Sequence, residues 1–311
     1  DINETIIMSE NIVTSFYKFS PWYNYSDHKD SLLAICEQGN ILGTILIAKE
    51  GINGTVSGEE KSLSILIDYI TALKEFKDLK PKFSLAYGRT FTKMRVRIKK
   101  EIVSMGQPDV NPHHKTGEML NSLEWDKLLY EEDVIIVDTR NKFEQSIGFF
   151  EGATFPNMVS FREFPKWADS HLEDSKDKKI AMYCTGGIRC EKASSYLINK
   201  GFKNVYQLDG GILKYLEDKE RSESKWKGEC FVFDYRVSLE HKLEKGSYDM
   251  CHACRMPISK DDIKTEHFVQ DISCPHCYNN QNEKSIRRFK ERKFQKSLQK
   301  RRIKCEQERP I

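Results

Sequence analysis

The most constraining feature of the sequence is an apolar run, a glycine loop and a helix that follow one another between residues 180 and 200. Residues 180–183 (IAMY) are continuously apolar, residues 184–189 (CTGGIR) contain two adjacent glycines, and residues 191–200 have helical spacing. An apolar strand without a polar face needs cover on both sides, as in parallel sheets between layers of helices. The segment predicts an α/β domain.

Neighbouring segments extend this α/β pattern in both directions. Residues 134–137 (VIIV) and 205–208 (VYQL) predict two further strands, and residues 119–129 predict a helix. Strands and helices therefore alternate, which favours a parallel sheet with right-handed crossovers. We assign this domain to residues 119–221, after a proline-broken linker at residues 108–118.

The first 107 residues predict a different α/β domain. The pattern indicates a strand at 11–19, a helix at 29–38, a strand at 41–48, a glycine-rich turn at 50–54 with a short strand at 55–57, a helix at 59–76 and a last strand at 91–103. This βαββαβ order is typical of a ferredoxin-like or acylphosphatase-like sandwich. Residues 1–107 are assigned to it.

The last segment, residues 222–311, is polar and contains two Cys-x-x-Cys pairs 19 residues apart, Cys251 with Cys254 and Cys274 with Cys277. This spacing suits a four-cysteine zinc site, which would also help a segment with few apolar residues to fold. The alternative is a set of redox-active or vestigial thiols. The remaining cysteines, Cys36, Cys230 and Cys305, lack a partner at such spacing.

Two regions are strongly basic. On the predicted strand at 91–103, four cations alternate with apolar residues and would share one sheet face: Lys93, Arg95, Arg97 and Lys99. Residues 281–311 carry a net charge of +8, whereas residues 1–280 carry −5, which together give the total of +3. Both regions are candidates for binding an RNA phosphate backbone, with tail candidates Arg287, Arg288, Arg301 and Arg302. The alternative is two solvated basic faces.

Cys184 is the candidate nucleophile. It stands at the carboxyl end of a buried parallel strand, where open α/β sheets place their sites. The glycine loop lets successive N–H groups point at the sulfur, and the helix N-terminus and Arg189 favour the thiolate further. The loop consists of Cys184 with Thr185, Gly186, Gly187, Ile188 and Arg189. Cys190 is either a second, resolving thiol or a packing residue.

Composition and motifs narrow the function classes further. Mean hydropathy is −0.62 and no window approaches 18 consecutive apolar residues, so a membrane protein is not expected. The opening residues DINETIIMSE show neither the basic nor the apolar region of a signal peptide, and the predicted location is the cytoplasm. The sequence shows no dinucleotide fingerprint and no histidine–carboxylate spacing typical of non-haem iron. We therefore predict no flavin, NAD or haem.

The cysteine loop resembles the active-site loop of rhodanese domains, in which the first cysteine carries a persulfide. Residues 137–140 (VDTR) and 148–153 (GFFEGA) resemble the first rhodanese signature, and residues 208–211 (LDGG) resemble the closing one. Phe149 departs from the histidine that is usual there, at a position that normally packs. This resemblance spans about residues 120–218.

A narrower resemblance covers nearly the whole chain. Residues 16–19 (FYKF), 50–55 (EGINGT), the string 184–193 (CTGGIRCEKA) and the C-terminal cysteine pair are together similar to the bacterial rhodanese-domain tRNA uridine hydroxylases. The resemblance implies formation of 5-hydroxyuridine at the wobble uridine, with molecular oxygen as co-substrate and Cys184 as the catalytic cysteine. The expected partners are the tRNA anticodon stem-loop and an unidentified electron donor.

The loop alone leaves two other functions open. A plain sulfurtransferase would move sulfane sulfur through a Cys184 persulfide, and a non-catalytic RNA-binding or redox-sensing module would not use the thiol catalytically. A sulfurtransferase needs neither a basic sheet nor a four-cysteine tail, so the chain around the loop favours the tRNA-modifying oxidoreductase.

Overall fold

The structure is a computed structural model that describes residues 10–307, with the side chains of residues 10, 296 and 299–307 outside the description. The chain divides after Lys245 into two compact units. Within the described range, no helix combines the length and the apolar character that crossing a membrane requires.

The first part of unit 1 is a five-stranded sheet with two helices on one face. Its elements are β1 (Glu10–Phe19), α1 (Lys29–Gln38), β2 (Leu42–Ala48), β3 (Gly51–Gly58), α2 (Glu60–Thr71), β4 (Lys82–Tyr87) and β5 (Met94–Ile98). The strand order is β4-β1-β3-β2-β5, with β5 parallel to β2.

Two expectations for this sheet were wrong in detail. Residues 51–54 of the turn expected at 50–54 lie within β3, because Ala48 pairs with Gly51 and the reversal takes only Lys49 and Glu50. The strand that completes the βαββαβ order is β4, which the pattern did not reveal, and the basic strand is a shorter fifth strand at the edge beside β2.

The helices α1 and α2 cover one face of this sheet because their apolar residues recur at helical spacing. Leu32 and Cys36 of α1, and Leu63, Leu66 and Ile70 of α2, are buried in one cluster with the sheet residues Phe16, Ile45, Ile47, Ile52, Val56 and Val96. Since side chains alternate along a strand, the residues between these point to the opposite face. That opposite face carries the site described below.

The second part of unit 1 is built on a four-stranded parallel sheet. Its elements are β6 (Glu118–Leu120), α3 (Ser122–Leu128), β7 (Val134–Asp138), α4 (Lys142–Gln145), β8 (Gly148–Phe150), α5 (Phe164–His171), β9 (Lys179–Tyr183), α6 (Ile188–Asn199), β10 (Asn204–Leu208) and α7 (Gly211–Asp218). The order β6-β10-β9-β7 confirms the parallel sheet.

Two helix expectations here were wrong at their ends. The segment expected to be a helix at 119–129 begins as β6, and its helix starts only after Asn121, whose side chain accepts hydrogen bonds from the N–H groups of Leu123 and Glu124. The helix expected at 191–200 already begins at Ile188. The loop that begins at Cys184 is therefore shorter than the sequence suggested.

Residues 226–239 pack on the same unit. They form β11 (Trp226–Gly228), which pairs with β8, and the small pair β12 (Cys230–Phe231) and β13 (Ser238–Leu239). Trp226 joins an edge-to-face aromatic cluster around the buried ring of Phe150, with Tyr183 and Tyr215. The domain bounds given above stay predictions.

Unit 2 holds β14 (Asp249–Met250), β15 (Pro257–Ile258), α8 (Lys260–Lys264) and the long helix α9 (Glu283–Gln307). Its small core consists mainly of the cysteines and a few neighbours, among them Ile258, Ile263 and Phe268. So few apolar groups give little hydrophobic stabilisation, and such a segment usually needs a cross-link or a metal.

Candidate active site

The loop between β9 and α6 surrounds the sulfur of Cys184. The Cys184 side chain is fully buried, and the N–H of Gly187 donates a hydrogen bond to its Sγ at 3.1 Å. Gly187 has φ +103°, a conformation that non-glycine residues rarely adopt. The backbone turn that aims this N–H at the sulfur therefore depends on glycine.

The back of the loop is fixed by the start of α7. The N–H groups of Ile212 and Leu213 donate to the carbonyl oxygens of Cys184 and Thr185, at 2.9 and 3.1 Å. A Cβ at Gly211 would lie 2.5 Å from the Cys184 oxygen and 2.7 Å from the Thr185 oxygen. The second of the two glycines in the 208–211 string thus permits this close approach.

The surroundings of Cys184 favour its thiolate. Burial by itself raises the pKa of Cys184, but hydrogen bonds from the Cys190 side chain and backbone, the positive charge of Arg189 and the Gly187 N–H outweigh burial and lower the pKa. A thiolate is the nucleophilic form of cysteine. The surroundings of this buried sulfur therefore favour its reactive form.

Arg189 acts on the loop through Glu144. Its guanidinium donates two hydrogen bonds of 2.7 Å to the buried Glu144 carboxylate and a third, at 3.2 Å, to the hydroxyl of Thr185. Burial would raise the pKa of Glu144, but Arg189 outweighs it and lowers that pKa. Arg189 is thus largely neutralised locally and braces the loop from α6.

Cys190 lies beside Cys184 in the first turn of α6. It is fully buried, and its sulfur is 3.5 Å from the hydroxyl of Thr139. Burial and the neighbouring Cys184 both raise the pKa of Cys190. The two thiols therefore differ in acidity, because the surroundings lower the pKa of Cys184 and raise that of Cys190.

The N-terminal sheet contributes two side chains to this loop. The hydroxyl of Tyr17 donates to Glu191 at 2.7 Å, and a Cβ at Gly187 would lie 2.7 Å from that hydroxyl oxygen. The ammonium of Lys82 donates to the carbonyl oxygens of Gly186 and Gly210, at 2.8 and 2.9 Å. The candidate active site is therefore built from both halves of unit 1.

Lys192 joins the same two halves one turn into α6. Its fully buried ammonium donates to both carboxylate oxygens of Glu50 at 3.0 and 2.8 Å, to Glu101 at 2.9 Å and to the Val103 carbonyl at 3.0 Å. Glu50 belongs to the β2–β3 turn, and Glu101 follows β5. The ammonium thus ties α6 to two places in the N-terminal half.

A cavity of about 550 Å³ lies between Cys184 and the face of the N-terminal sheet that is not packed against α1 and α2. That volume is typical of small-molecule sites. Strand pairing places five side chains in one row across this face: Lys82, Ser15, Thr55, Thr44 and Arg95. The first four of them line the cavity. The next row includes Tyr17, Asn53, Leu46 and Arg97. Polar side chains therefore lead from the sulfur to the basic edge strand.

The expected basic residues are exposed where the structure describes them. Arg95 and Arg97 lie on β5 and share the cavity face of the sheet, whereas Lys93 and Lys99 lie just outside the strand. Arg287 and Arg288 are exposed on α9, and the side chains of Arg301 and Arg302 lie outside the described residues. Binding of RNA by these residues stays a prediction.

The four paired cysteines come together in unit 2. The sulfurs of Cys251, Cys254, Cys274 and Cys277 all lie within 4.8 Å of one another. The Cys254–Cys274 and Cys274–Cys277 sulfur distances are 3.7 and 3.8 Å. A tetrahedral ion with metal–sulfur bonds of about 2.3 Å requires sulfurs about 3.8 Å apart. The cluster therefore has the composition and spacing of a metal centre.

Several site residues were not identified from the sequence. Tyr17 and Lys82 reach the loop and its helix α6 across long sequence separations, and the sequence holds no signal for such contacts; Glu191, the partner of Tyr17, lies on α6 itself. Tyr17 and Glu191 do lie within the strings 16–19 and 184–193 that carried the resemblance. Lys82 lies in neither string, so it could be found only from the structure.

Comparisons with known proteins agree with this architecture. Residues 11–102 match the family model described as "UPF0176 acylphosphatase like domain", and residues 122–218 match the rhodanese-like domain. The chain is 46% identical over 295 residues to a protein of Acaryochloris marina named tRNA uridine(34) hydroxylase, covering 95% of each chain.

Solved structures match parts of the chain. A rhodanese-like domain protein of Staphylococcus aureus is 25% identical, covering 32% of this chain and 90% of that one, with a TM-score of 0.27. An acylphosphatase of Coxiella burnetii is 14% identical, covering 28% of this chain and 93% of that one, with a TM-score of 0.21. The whole-length relative is the more informative comparison.

Proposed function

This chain belongs to the tRNA uridine(34) hydroxylase family, and we propose that it converts the wobble uridine of tRNA into 5-hydroxyuridine in an oxygen-dependent reaction in the cytoplasm. The observation that carries the proposal is the position of Cys184. Its sulfur lies against a cavity whose opposite wall is a polar sheet face ending in exposed arginines. A single-stranded wobble base can enter such a cavity with little unpairing cost.

Cys184 supplies the nucleophile. Its thiolate adds to C6 of the uracil ring, and the electron pair of the C5–C6 bond moves into an enolate over C5, C4 and O4. C5 of that enolate takes up dioxygen, and with a proton it forms a hydroperoxide. After the outer oxygen has left as water, loss of the C5 proton and departure of the sulfur from C6 restore the ring. The product is 5-hydroxyuridine.

Removal of the outer oxygen requires two electrons and two protons from a thiol-class donor, which becomes a disulfide. Cys190 lies beside Cys184, but its burial and its raised pKa make it a poor nucleophile on its own. Cys190 serves as a hydrogen-bond donor to Cys184, and an external donor supplies the electrons. A Cys190→Ser variant is therefore expected to retain multiple turnovers.

Arg95 and Arg97 bind the phosphates of the anticodon stem-loop as it approaches the cavity, and the cations of α9 add to this binding. The support is their exposure and their register with Thr44 and Leu46 on the cavity face. Arginine gives such contacts directional, charge-assisted hydrogen bonds.

The four-cysteine cluster of unit 2 holds a structural zinc ion. Four thiolates in tetrahedral spacing form a closed site, without the open position that a catalytic zinc needs. A zinc ion held by these four cysteines would cross-link the two Cys-x-x-Cys segments and so supply stabilisation that the small hydrophobic core lacks. The reaction at Cys184 does not involve it.

The decisive experiment incubates the purified protein with unmodified tRNA, with and without air, and analyses the digested nucleosides by mass spectrometry. Wild-type protein and a Cys36→Ala control, altered in the helix-covered core, are expected to add one oxygen atom to uridine only in air. Cys184→Ser is expected to add none. Oxygen incorporation by Cys184→Ser would refute the role of this sulfur.

The alternative is sulfur transfer, which the rhodanese-type loop favours taken alone. The same preparation is given thiosulfate and cyanide, and thiocyanate is measured. Thiocyanate formation at turnover rates, together with no oxygen gain on tRNA, would replace the hydroxylase by a sulfurtransferase that uses a Cys184 persulfide.

A further inference from the structure

One peptide group of the catalytic loop has a strong partner at each end. Its carbonyl oxygen, that of Gly186, accepts from the ammonium of Lys82 at 2.8 Å, and its N–H, that of Gly187, donates to the Cys184 sulfur at 3.1 Å. We propose that Lys82 acts as a positioning residue for the Cys184 sulfur by polarising the peptide that lies between them.

The physical basis is cooperativity along a hydrogen-bonded chain. A cation at a carbonyl oxygen draws electron density from the amide and makes its N–H a stronger donor, and low local dielectric increases the effect. The Lys82 ammonium, the 186–187 peptide and the sulfur form such a chain. The lysine thereby stabilises the thiolate without touching it.

The charge distribution supports this role for Lys82. Arg189, the cation nearest to the loop in sequence, is paired with Glu144 through two short hydrogen bonds. In the described range, by contrast, no carboxylate lies within ion-pair distance of Lys82, whose ammonium binds the carbonyl oxygens of Gly186 and Gly210. Lys82 therefore has no direct ion-pair partner, although the carboxylates of Asp209 and Glu191 act on its charge from farther away, whereas Arg189 acts on Cys184 while paired with Glu144.

Lys82 and the cysteine it acts on belong to different halves of unit 1. Lys82 lies on β4 of the N-terminal sheet, 104 residues before the carbonyl it binds, and its ammonium is 5.9 Å from the centre of the Tyr17 ring. Burial lowers the pKa of Lys82, and the neighbouring Cys184 acts in the opposite direction. The acylphosphatase-like half thus adjusts the acidity of a cysteine that belongs to the rhodanese half.

Several titratable groups face the thiol and enter any pH profile. Cys190, Arg189 and Glu191 face it from α6, Tyr17 from β1 and Lys82 from β4. Burial raises the pKa values of Tyr17 and Glu191. Because a lysine variant leaves the other groups in place, the difference between variant and wild type isolates the contribution of Lys82.

The test measures how fast iodoacetamide alkylates Cys184 as a function of pH, with the adduct on its peptide quantified by mass spectrometry in the reduced full-length protein. Lys82→Met is expected to raise the midpoint by about one pH unit, which lowers alkylation below the midpoint about tenfold. Lys82→Arg is expected to retain most of the wild-type profile. Lys80→Met, which removes an exposed lysine from the same cavity wall, is the matched control.

A role limited to holding the loop in place would reduce hydroxylation without moving this midpoint. If Lys82→Met gave the same midpoint as Lys80→Met, the proposal would be wrong. Should Lys82→Met fail to fold, Lys82→Gln, which keeps a donor but removes the charge, provides the same comparison.

The inference rests on the proposed use of Cys184 as the reacting sulfur, but alkylation requires neither tRNA nor oxygen. A shifted midpoint in a protein that does not hydroxylate tRNA would support the inference and reject the proposed function. An unchanged midpoint in an active hydroxylase would do the opposite.

Discussion

Replacing Lys192 with methionine is the sharpest stability test of the junction between the two halves of unit 1. Methionine fills much of the lysine stem but removes the ammonium that contacts Glu50, Glu101 and the Val103 carbonyl. Two carboxylates that now share a cation would then face each other without one. The variant should therefore destabilise unit 1 without creating a large cavity.

The expected loss of unfolding free energy depends on how deeply Glu50 and Glu101, the partners of Lys192, are buried. Breaking a buried ion pair by removing one partner costs about 3–5 kcal/mol. The Glu50 and Glu101 side chains remain 23% and 18% exposed, and they also accept backbone N–H groups of Ile102 and Met105. These compensations place the cost near the lower end, at about 3 kcal/mol.

Urea unfolding followed by tryptophan fluorescence, together with calorimetry, measures this cost. For a unit of this size, about 3 kcal/mol corresponds to a decrease in Tm of roughly 6–12 °C. Lys200→Met is the matched control, because the half-exposed Lys200 pairs with the half-exposed Asp169 beside the Tyr196 ring, and its loss should cost less than about 1 kcal/mol. Adding Glu101→Gln to Lys192→Met should recover part of the loss. Equal stability of the two lysine variants would refute the argument.

Three further predictions concern the sites. Gly187→Ala is expected to reduce hydroxylation at least about tenfold through its positive φ and its clash with the Tyr17 hydroxyl, and adding Tyr17→Phe should restore only part, because the backbone strain remains; full restoration would show that the clash alone matters. Cys274→Ser is expected to abolish zinc binding, measured by elemental analysis of protein purified without chelator, and retained zinc would exclude the four-thiolate site. Replacing Arg95 and Arg97 with glutamine should weaken tRNA binding and reduce its salt slope by about 1.4–1.8, and an unchanged slope would remove both from the interface.

The sequence predicted the elements that are buried on a regular period. The apolar runs at 134–137 and 180–183 became the central strands β7 and β9 because a strand covered on both faces has no polar alternation to confuse the pattern. The helix α2 was recognised because Leu63, Leu66 and Ile70 recur at helical spacing on the one face that is buried. The two family models confirm the fold assigned to each half.

β4 shows why the rest could not be predicted. On this edge strand the apolar Phe83, Leu85 and Tyr87 are exposed, whereas the polar Lys82 and Ser84 line the cavity. Apolar side chains are usually buried and polar ones exposed, and this strand has the reverse arrangement. Its sequence pattern therefore did not predict a strand. A strand that departs from the pattern in this way is also where a functional face is expected.

The contacts of the candidate site likewise form a local set, which the sequence predicted, and a distant set, which it did not. Local geometry around Cys184 followed from the glycines and from the strand-to-helix context, because those interactions lie within a few residues. The contacts of Lys82 and Lys192 span about a hundred residues or more in sequence. Such contacts depend on how two domains pack, which a periodic pattern does not encode.

The order of synthesis gives the connection between Lys82 and the cysteine loop a further consequence. The ribosome completes the sheet that carries Lys82 well before Cys184 and the stabilising start of α7 emerge, at about 5–20 residues per second. Until Ile212 and Leu213 bind the back of the loop, the environment that lowers the pKa of Cys184 is incomplete. In the nascent chain the pKa of Cys184 is therefore expected to be that of an exposed thiol, and it falls only after both halves have folded and packed against the loop.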